Sequence, residues 1–286
     1  LGESLMEKSI DLLHIAQEIC KQHKLGLLEE KGEGTFKKTY WVSKGREIFA
    51  LKVYKPELLS QRGAREIEAM KRCDHPNIAK LHSLGNIQID DSNILFTLEE
   101  YLDGGTLSEL LESNGVMGGE QIIELGIPLI NAVEHIQSLD LVHRDLKPEN
   151  VIFRKTPFSP VITDFGIVRD LRQISLTQTW QMSGPGTYFY AAPEQLNNKK
   201  ELIDWRTDQF SLGILLAICA FGEHPFGNDP DVAIENVSTY KEPTNSFRAN
   251  IANSNLFAIE KMINPWPAKR YRTPKELMKS WLNQRR

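Results

Sequence analysis

The chain has 286 residues, of which 41% are hydrophobic and 25% are charged, and its formal net charge at pH 7 is −4. That composition is typical of a globular protein, and the small negative charge gives no electrostatic reason to expect binding to nucleic acid or to an anionic membrane. The three cysteines, Cys20, Cys73 and Cys219, show neither paired spacing nor a metal-binding pattern. We therefore expect free thiols and a reducing, cytoplasmic location.

The first predicted element is a helix, because apolar residues recur at close to a helical period between residues 4 and 24. We expect this helix either to cover apolar surface of the region that follows or to act as a dimerisation or regulatory helix. The first residue is Leu and no signal peptide is visible. We therefore expect the chain to be a domain excised from a longer protein.

The next predicted region, residues 25–99, is rich in strands and contains one helix, at 62–76. Ile67 and Met70 supply the apolar stripe of that helix. Two further helices are predicted within 107–140, separated by a glycine-rich turn.

The second half of the chain is predicted to be mainly helical. A short strand pair at 151–153 and 161–163 comes first, and helical patterns dominate from residue 204. The apolar run from Phe210 to Gly222 has 13 residues, whereas a membrane-spanning helix needs ~20. We therefore predict a buried core helix here and no membrane span in this chain.

Two segments in the middle of the chain carry recognisable chemistry. Residues 143–150 read His-Arg-Asp-Leu-Lys-Pro-Glu-Asn, and an Asp-Phe-Gly triplet begins at Asp164. Asp145 is a carboxylate that can accept the proton of an attacking hydroxyl, and Lys147 can lie beside the same reacting oxygens. Asn150 and Asp164 offer hard oxygen ligands of the type that Mg²⁺ selects. Positioning, metal binding and charge neutralisation are what phosphoryl transfer requires of a protein.

A glycine-rich loop and a lysine precede these segments. Gly32-Glu33-Gly34 begins a Gly-x-Gly-x-x-Gly pattern in which Lys37 replaces the third glycine. Glycines there allow backbone N–H groups to approach phosphates, and we expect the loop to tolerate Lys37. Lys52 follows in the apolar strand 49–53 and, if it reaches into a nucleotide cleft, needs an anion to hold it.

Together these motifs resemble the catalytic domain of the eukaryotic-type serine/threonine protein kinases. The resemblance covers about residues 25–283 and extends to Ala192-Pro193-Glu194 and to the segment that begins at Asp208. Lys147, within Asp-Leu-Lys-Pro-Glu-Asn, is typical of serine/threonine rather than tyrosine kinases. Thr177-Gln178-Thr179 is similar to a doublet in bacterial members of the family.

The resemblance implies an α+β, two-lobed protein-kinase fold, with a small antiparallel-sheet lobe that contains one main helix and a larger, mainly helical lobe. It divides the chain into an N-terminal helical extension (1–24), a small lobe (25–99), a hinge (100–105) and a large lobe (106–286). It also implies ATP and Mg²⁺ as cofactors, proteins as substrates, and transfer of the γ-phosphate of ATP to Ser or Thr hydroxyls.

The site residues that the resemblance implies fall into five groups. Catalysis is assigned to Asp145 and Lys147, and metal binding to Asn150 and Asp164. ATP binding is assigned to Gly32, Glu33, Gly34, Thr35, Phe36, Thr39, Ala50, Lys52, Glu66, Glu100, Leu102 and Ile152. Structural roles are assigned to Arg144, Glu194, Asp208 and Arg270, with Arg270 paired to Glu194. Activating phosphorylation is assigned to Thr177, Thr179 and Ser183, of which Thr179 is preferred.

Three questions stay open in the sequence. Glu99 occupies the position at the back of the nucleotide pocket, where an unpaired buried carboxylate would be costly, and either Lys52 or a polar neighbour could satisfy it. A pseudokinase that acts as a nucleotide-binding scaffold is the alternative function, supported by Lys37 and Glu99. A homodimer that phosphorylates its own activation segments is one arrangement open to the chain.

Overall fold

Helix α1 and five strands form the N-terminal part of the fold. The computed structural model describes residues 11–34, 37–55, 71–89, 92–155, 158–164 and 188–284. Within these ranges the first elements are α1 (Leu12–His23), β1 (Gly26–Glu33), β2 (Lys37–Lys44), β3 (Glu47–Tyr54), β4 (Leu81–Ile89) and β5 (Ser92–Glu100). The strands make one antiparallel sheet in the order β1-β2-β3-β5-β4.

Helix α1 packs on one face of this sheet. Its N-terminus is capped by Asp11, whose carboxylate accepts the backbone N–H groups of Leu13 and His14 at 2.9 and 3.3 Å. Its buried side chains form one core cluster with sheet residues of alternating positions. The cluster includes Leu12, Ile15, Ala16, Ile19, Tyr40, Val42, Leu51, Val53, Phe96 and Leu98. Because strand side chains alternate between faces, the residues between them face away from α1.

The helix predicted at 62–76 falls largely on residues 56–70, which lie outside the described residues. Residues 71–80, which contain the end of that prediction, form turns and irregular structure instead of a helix. The prediction therefore extends too far. Pro76 explains the difference, since a proline disfavours helical backbone at the residue before it, and His75 Nδ1 instead accepts the backbone N–H of Asn77 at 3.1 Å.

The C-terminal part is mainly helical, as predicted. Its described elements are α2 (Leu107–Asn114), α3 (Gly119–Ser138), β6 (Val151–Lys155), β7 (Phe158–Ile162), α4 (Pro193–Leu196), α5 (Trp205–Phe221), α6 (Pro230–Ser238), α7 (Asn245–Ser254), α8 (Phe257–Met262) and α9 (Pro274–Asn283). Strands β6 and β7 pair in an antiparallel hairpin, and a glycine-containing turn separates α2 from α3, so both predictions are confirmed.

The central helix α5 is buried on nearly all sides, and its core includes Phe210, Leu215 and Cys219, each fully inaccessible to solvent. The prediction of a core helix is therefore confirmed. In the part of the chain that the structure describes, no helix combines the length and apolarity needed to cross a membrane.

The last helix, α9, closes the core of the helical part. The indole of Trp281 lies against Gly126 of α3, where a Cβ atom would stand 2.2 Å from the ring. Trp281 Nε1 also donates a hydrogen bond to the backbone carbonyl of Ile123 at 3.0 Å. Only a glycine at position 126 leaves room for this ring.

Candidate active site

A cleft of about 570 Å³ lies between the sheet and the helical part. The predicted ATP-binding residues on its walls are Gly32, Glu33, Gly34, Thr39, Ala50, Lys52, Glu100, Leu102 and Ile152. Thr35, Phe36 and Glu66 lie outside the described residues. The sheet supplies the roof through the side chains that face away from α1.

The segment 143–150 places three of the predicted residues together. The side-chain amide of Asn150 donates to the backbone carbonyl of Asp145 at 2.7 Å and to its carboxylate at 3.1 Å. The ammonium of Lys147 lies 3.3 Å from Asp145 Oδ2. A carboxylate with one cation and one amide donor beside it stays oriented for a hydroxyl proton.

Buried groups beneath this loop fix its backbone. The carboxylate of Asp208, fully buried, accepts the backbone N–H groups of His143 at 2.7 Å and Arg144 at 2.8 Å. Arg144 has φ of 67°, a conformation that is unfavourable for a non-glycine residue. Gln195 supports the same residue by donating to its carbonyl at 2.9 Å. Burial raises the pKa of Asp208 to about 7, although the two backbone donors act in the opposite direction.

Lys52 lies in a buried cluster of charges. Its ammonium contacts Glu99 and Asp164 and donates to Thr163 Oγ1 at 3.1 Å. Thr97 Oγ1 donates to the other carboxylate oxygen of Glu99 at 2.8 Å. Burial acts to lower the pKa of Lys52, but the Asp164 and Glu99 carboxylates outweigh it and the pKa is raised. Lys52 and Thr97 thus both satisfy Glu99, for which the sequence left two partners open.

Lys37 joins the same cluster, a position that sequence reasoning missed. Its ammonium contacts the carboxylate of Asp164. Burial acts to raise the pKa of Asp164, whereas Lys37 and Lys52 lower it, and the net pKa lies below its usual range. Alternation along β2 puts Lys37 on the cleft face with Thr39, so the strand pattern contained a signal for this placement.

An aromatic pair that includes one lining residue of the cleft, Trp41, was also missed by sequence reasoning. The ring of Trp41 lies edge-on to Tyr101 of the hinge, with centroids 4.8 Å apart. The ammonium of Lys31 lies 3.5 Å from the centre of the Trp41 ring, a favourable cation–π distance. Both Lys31 and Trp41 line the cleft.

The segment predicted to be the hinge, residues 100–105, is tied to the helical part by its backbone and by Glu100. The Glu100 carboxylate receives two hydrogen bonds from Arg154, at 2.7 and 2.9 Å. Gly104 N–H donates to the Phe153 carbonyl at 2.8 Å, and a Cβ at Gly104 would lie 2.5 Å from that oxygen. This segment therefore lies directly against β6.

Glu194 and Arg270 form a buried ion pair away from the cleft. Two hydrogen bonds of 2.7 and 3.0 Å join them, and neither side chain is exposed to solvent. Thr207 Oγ1 adds a donor to Glu194 at 2.9 Å. The geometry is that of a structural pair that anchors α4.

The donor groups in the cleft fit the cofactors that the sequence implies. Among the described residues no cluster of three or more His, Cys, Asp or Glu side chains could hold a metal by itself. Mg²⁺ commonly takes one or two carboxylates and completes its shell with substrate phosphates and water. An ionised Asp164 and the amide oxygen of Asn150 suit that pattern. The predicted phosphorylation sites Thr177, Thr179 and Ser183 lie outside the described residues.

Comparison with known proteins identifies the family. The sequence model of the protein kinase domain matches residues 26–282, and the chain belongs to this family. A probable serine/threonine-protein kinase of Clostridium perfringens is 31% identical over 261 residues, which cover 88% of this chain and 37% of that protein. The chain spans 37%, 30% and 31% of the lengths of three bacterial relatives that it matches.

Solved structures show the same fold. A structure of Rad53 in complex with AMP-PNP has a TM-score of 0.72 and 22% identity, and the match covers 94% of this chain and 70% of that one. The kinase domain of Mycobacterium tuberculosis PknI has a TM-score of 0.68 and 21% identity, with 91% and 96% covered. The predicted two-lobed protein-kinase fold is therefore confirmed.

Proposed function

We propose that this chain is a protein serine/threonine kinase that transfers the γ-phosphate of ATP to Ser or Thr hydroxyls of protein substrates. The observation that carries the proposal is the arrangement of Asp145 with Lys147 and Asn150, together with the contact between Lys52 and Asp164. The bacterial relatives are named as serine/threonine-protein kinases, and the Rad53 structure contains an ATP analogue.

In this proposal Asp145 orients the substrate hydroxyl and takes its proton as the oxygen bonds to the γ-phosphorus. The bond from that phosphorus to the β–γ bridging oxygen breaks, and ADP leaves. Lys147, which lies beside Asp145 Oδ2, offsets negative charge on the transferred group. Lys52 binds the α- and β-phosphates. Asn150 and Asp164 are the residues that would hold Mg²⁺, and the ion would supply charge neutralisation of the phosphates.

The residues present favour catalysis over the pseudokinase alternative. A scaffold needs only nucleotide binding, whereas this chain also keeps the proposed proton acceptor Asp145 with Lys147 beside it. Phosphorylation of Thr177, Thr179 or Ser183 by a second copy of the chain stays a prediction, because residues 165–187 lie outside the described part of the chain.

The experiment that tests this proposal measures phosphoryl transfer from radiolabelled ATP to a general protein substrate. We expect Asp145→Asn to lower kcat by ~10²–10⁴-fold, the range for removal of a general base, while ATP affinity changes by no more than a few-fold. Asp140→Asn is the matched control, because Asp140 is exposed and Asn tolerates its φ of 57°. A kcat in Asp145→Asn equal to that of the control would remove Asp145 from this role.

A further inference from the structure

The ammonium of Lys37 occupies the cleft where the glycine-rich pattern has its third glycine. The side chain is 20% exposed, and its Nζ contacts the same Asp164 oxygen that Lys52 contacts. The ring of Tyr54 lies 5.9 Å from the ammonium. Lys37 is therefore built into the wall of the cleft and is not a solvated loop residue.

Two cations and two anions balance one another in this cluster. Lys52 is held by both Glu99 and Asp164. Among the described residues, Asp164 is the one carboxylate that forms an ion pair with Lys37. The two lysines thus differ in their ion pairs. Lys52 still pairs with Glu99 if Asp164 is engaged elsewhere, whereas Glu99 acts on Lys37 electrostatically without forming an ion pair with it.

The neighbouring lysine shows that this placement is particular to one face of β2. Lys38 points to the opposite face, where it pairs with Glu30 at 2.8 Å. Its contact with Glu33, which lines the cleft, is longer, at 3.6 Å. Residues on the Lys37 face, such as Thr39, line the cleft. If β2 merely carried an excess of basic residues, the lysines on its two faces would not be expected to differ in this way.

Binding of nucleotide and metal changes the partners that Lys37 can have. In the proposed function, on which this inference rests, Asp164 would be a ligand of Mg²⁺, and its negative charge would then be shared with that ion. A desolvated ammonium without an anion is costly. Lys37 begins the strand that follows the glycine loop, and the anion delivered to that loop is the triphosphate.

We propose that Lys37 is a second phosphate-binding lysine, which contacts Asp164 in this structure and binds the phosphates when nucleotide enters. It acts beside Lys52 and does not replace it. The adenosine part of the nucleotide makes no contribution to this contact, so the effect of Lys37 depends on the phosphates alone.

The test is calorimetric titration of Lys37→Met with Mg²⁺-ATP and, separately, with adenosine. Hydrogen bonds to charged groups are strong enough that we expect the Kd for Mg²⁺-ATP to rise by about tenfold or more, while the Kd for adenosine stays within about twofold. Lys38→Met removes the same charge from the opposite face and is the control, with both constants unchanged. Lys37→Arg should recover most of the affinity for Mg²⁺-ATP.

If the wild-type protein binds ATP and phosphorylates protein, two results with the variants would overturn the proposal about Lys37. Unchanged ATP affinity in Lys37→Met would show that the lysine only packs in the cleft. Tighter ATP binding would show that it merely competes for Asp164. Lys37→Gln, which keeps the length and polarity of the side chain, replaces Lys37→Met if thermal unfolding shows that the latter is not folded. A wild-type protein that neither binds ATP nor transfers phosphate would instead refute the proposed function itself.

Discussion

At the scale of single residues, the acidic side chain at the back of the cleft is the least expected feature. Glu99 is 5% exposed and is satisfied by Lys52 and Thr97. A buried carboxylate with a cation and a hydroxyl beside it contributes to holding the lysine, whereas the same carboxylate without them would be destabilising.

We predict that Glu99→Gln lowers the free energy of unfolding by about 1.5–3 kcal/mol, the range for a hydrogen bond to a charged group. Urea unfolding measures this change. Glu47→Gln makes the same substitution at an exposed position of β3 and should stay within about 0.5 kcal/mol of wild type. Equal stability of the two variants would mean that the Glu99–Lys52 contact contributes nothing net.

Roles could be predicted from the sequence for residues that belong to a motif with characteristic spacing. Roles could not be predicted for residues outside such motifs. The sequence identified Asp145, Lys52 and Asp164 as candidate site residues because each belongs to a motif with a recognisable chemical role. Trp41 and Lys31 belong to no motif. Their roles depend on which face of each strand meets the cleft, and that depends on where α1 packs, which the sequence pattern alone does not state.

At the scale of elements, α1 provides the clearest case for a test. Its apolar face covers the side of the sheet opposite the cleft, and Ile19 is fully buried there. This packing is what the covering interpretation of residues 4–24 predicts. The regulatory interpretation requires a further effect on catalysis.

We predict that Ile19→Ala lowers the free energy of unfolding by about 2–5 kcal/mol, because it deletes a buried side chain and leaves a cavity. The KM for ATP and the kcat of the folded protein should not change, since the cleft lies on the other face. Leu13→Ala, on the side of α1 where Leu13 is 38% exposed, is the control and should cost much less. Altered kcat in a folded Ile19→Ala protein would support the regulatory interpretation.

Element types were more predictable than the order of the strands. Helical spacing identified α1, α2 and α3, and alternation identified the strands. Nothing local indicates that β5 lies between β3 and β4, because that order depends on pairing between residues far apart in the sequence. The helix predicted at 62–76 is an error of local pattern. The apolar spacing extended the prediction towards Pro76, where residues 71–80 form turns and irregular structure.

At the scale of the whole molecule, two buried histidines link folding to pH. The Nε2 atoms of His143 and His224 lie 3.0 and 2.9 Å from the carbonyls of Thr163 and Phe189. In each, Nδ1 accepts the backbone N–H two residues later, at 3.2 Å. Both rings are therefore neutral, and burial lowers the pKa of each to about 4.

We predict that acid pH lowers the free energy of unfolding partly through protonation of His224. The unfolded chain binds a proton on this ring below about pH 6.5, whereas the folded protein does not until about pH 4. The stability that the neutral ring contributes is thus complete above pH 6.5 and is lost as the pH falls towards 4. The free-energy advantage of wild type over His224→Gln should shrink by about 1.4 kcal/mol per pH unit in that window. Urea unfolding between pH 4.5 and 7.5 would reveal a constant difference if His224 does not titrate this way.

The packing of Trp281 against Gly126 has a consequence for folding during translation. Trp281 bonds to a carbonyl 158 residues earlier in the sequence. A ribosome that adds about 5–20 residues per second needs roughly 8–30 s to cover that distance. During that interval α3 has been synthesised but Trp281 has not, so the surface at Gly126 that Trp281 covers in the folded protein is still uncovered. The helical lobe can close around Trp281 only after that residue has been synthesised, so until then the uncovered surface at Gly126 is available for chaperones to bind.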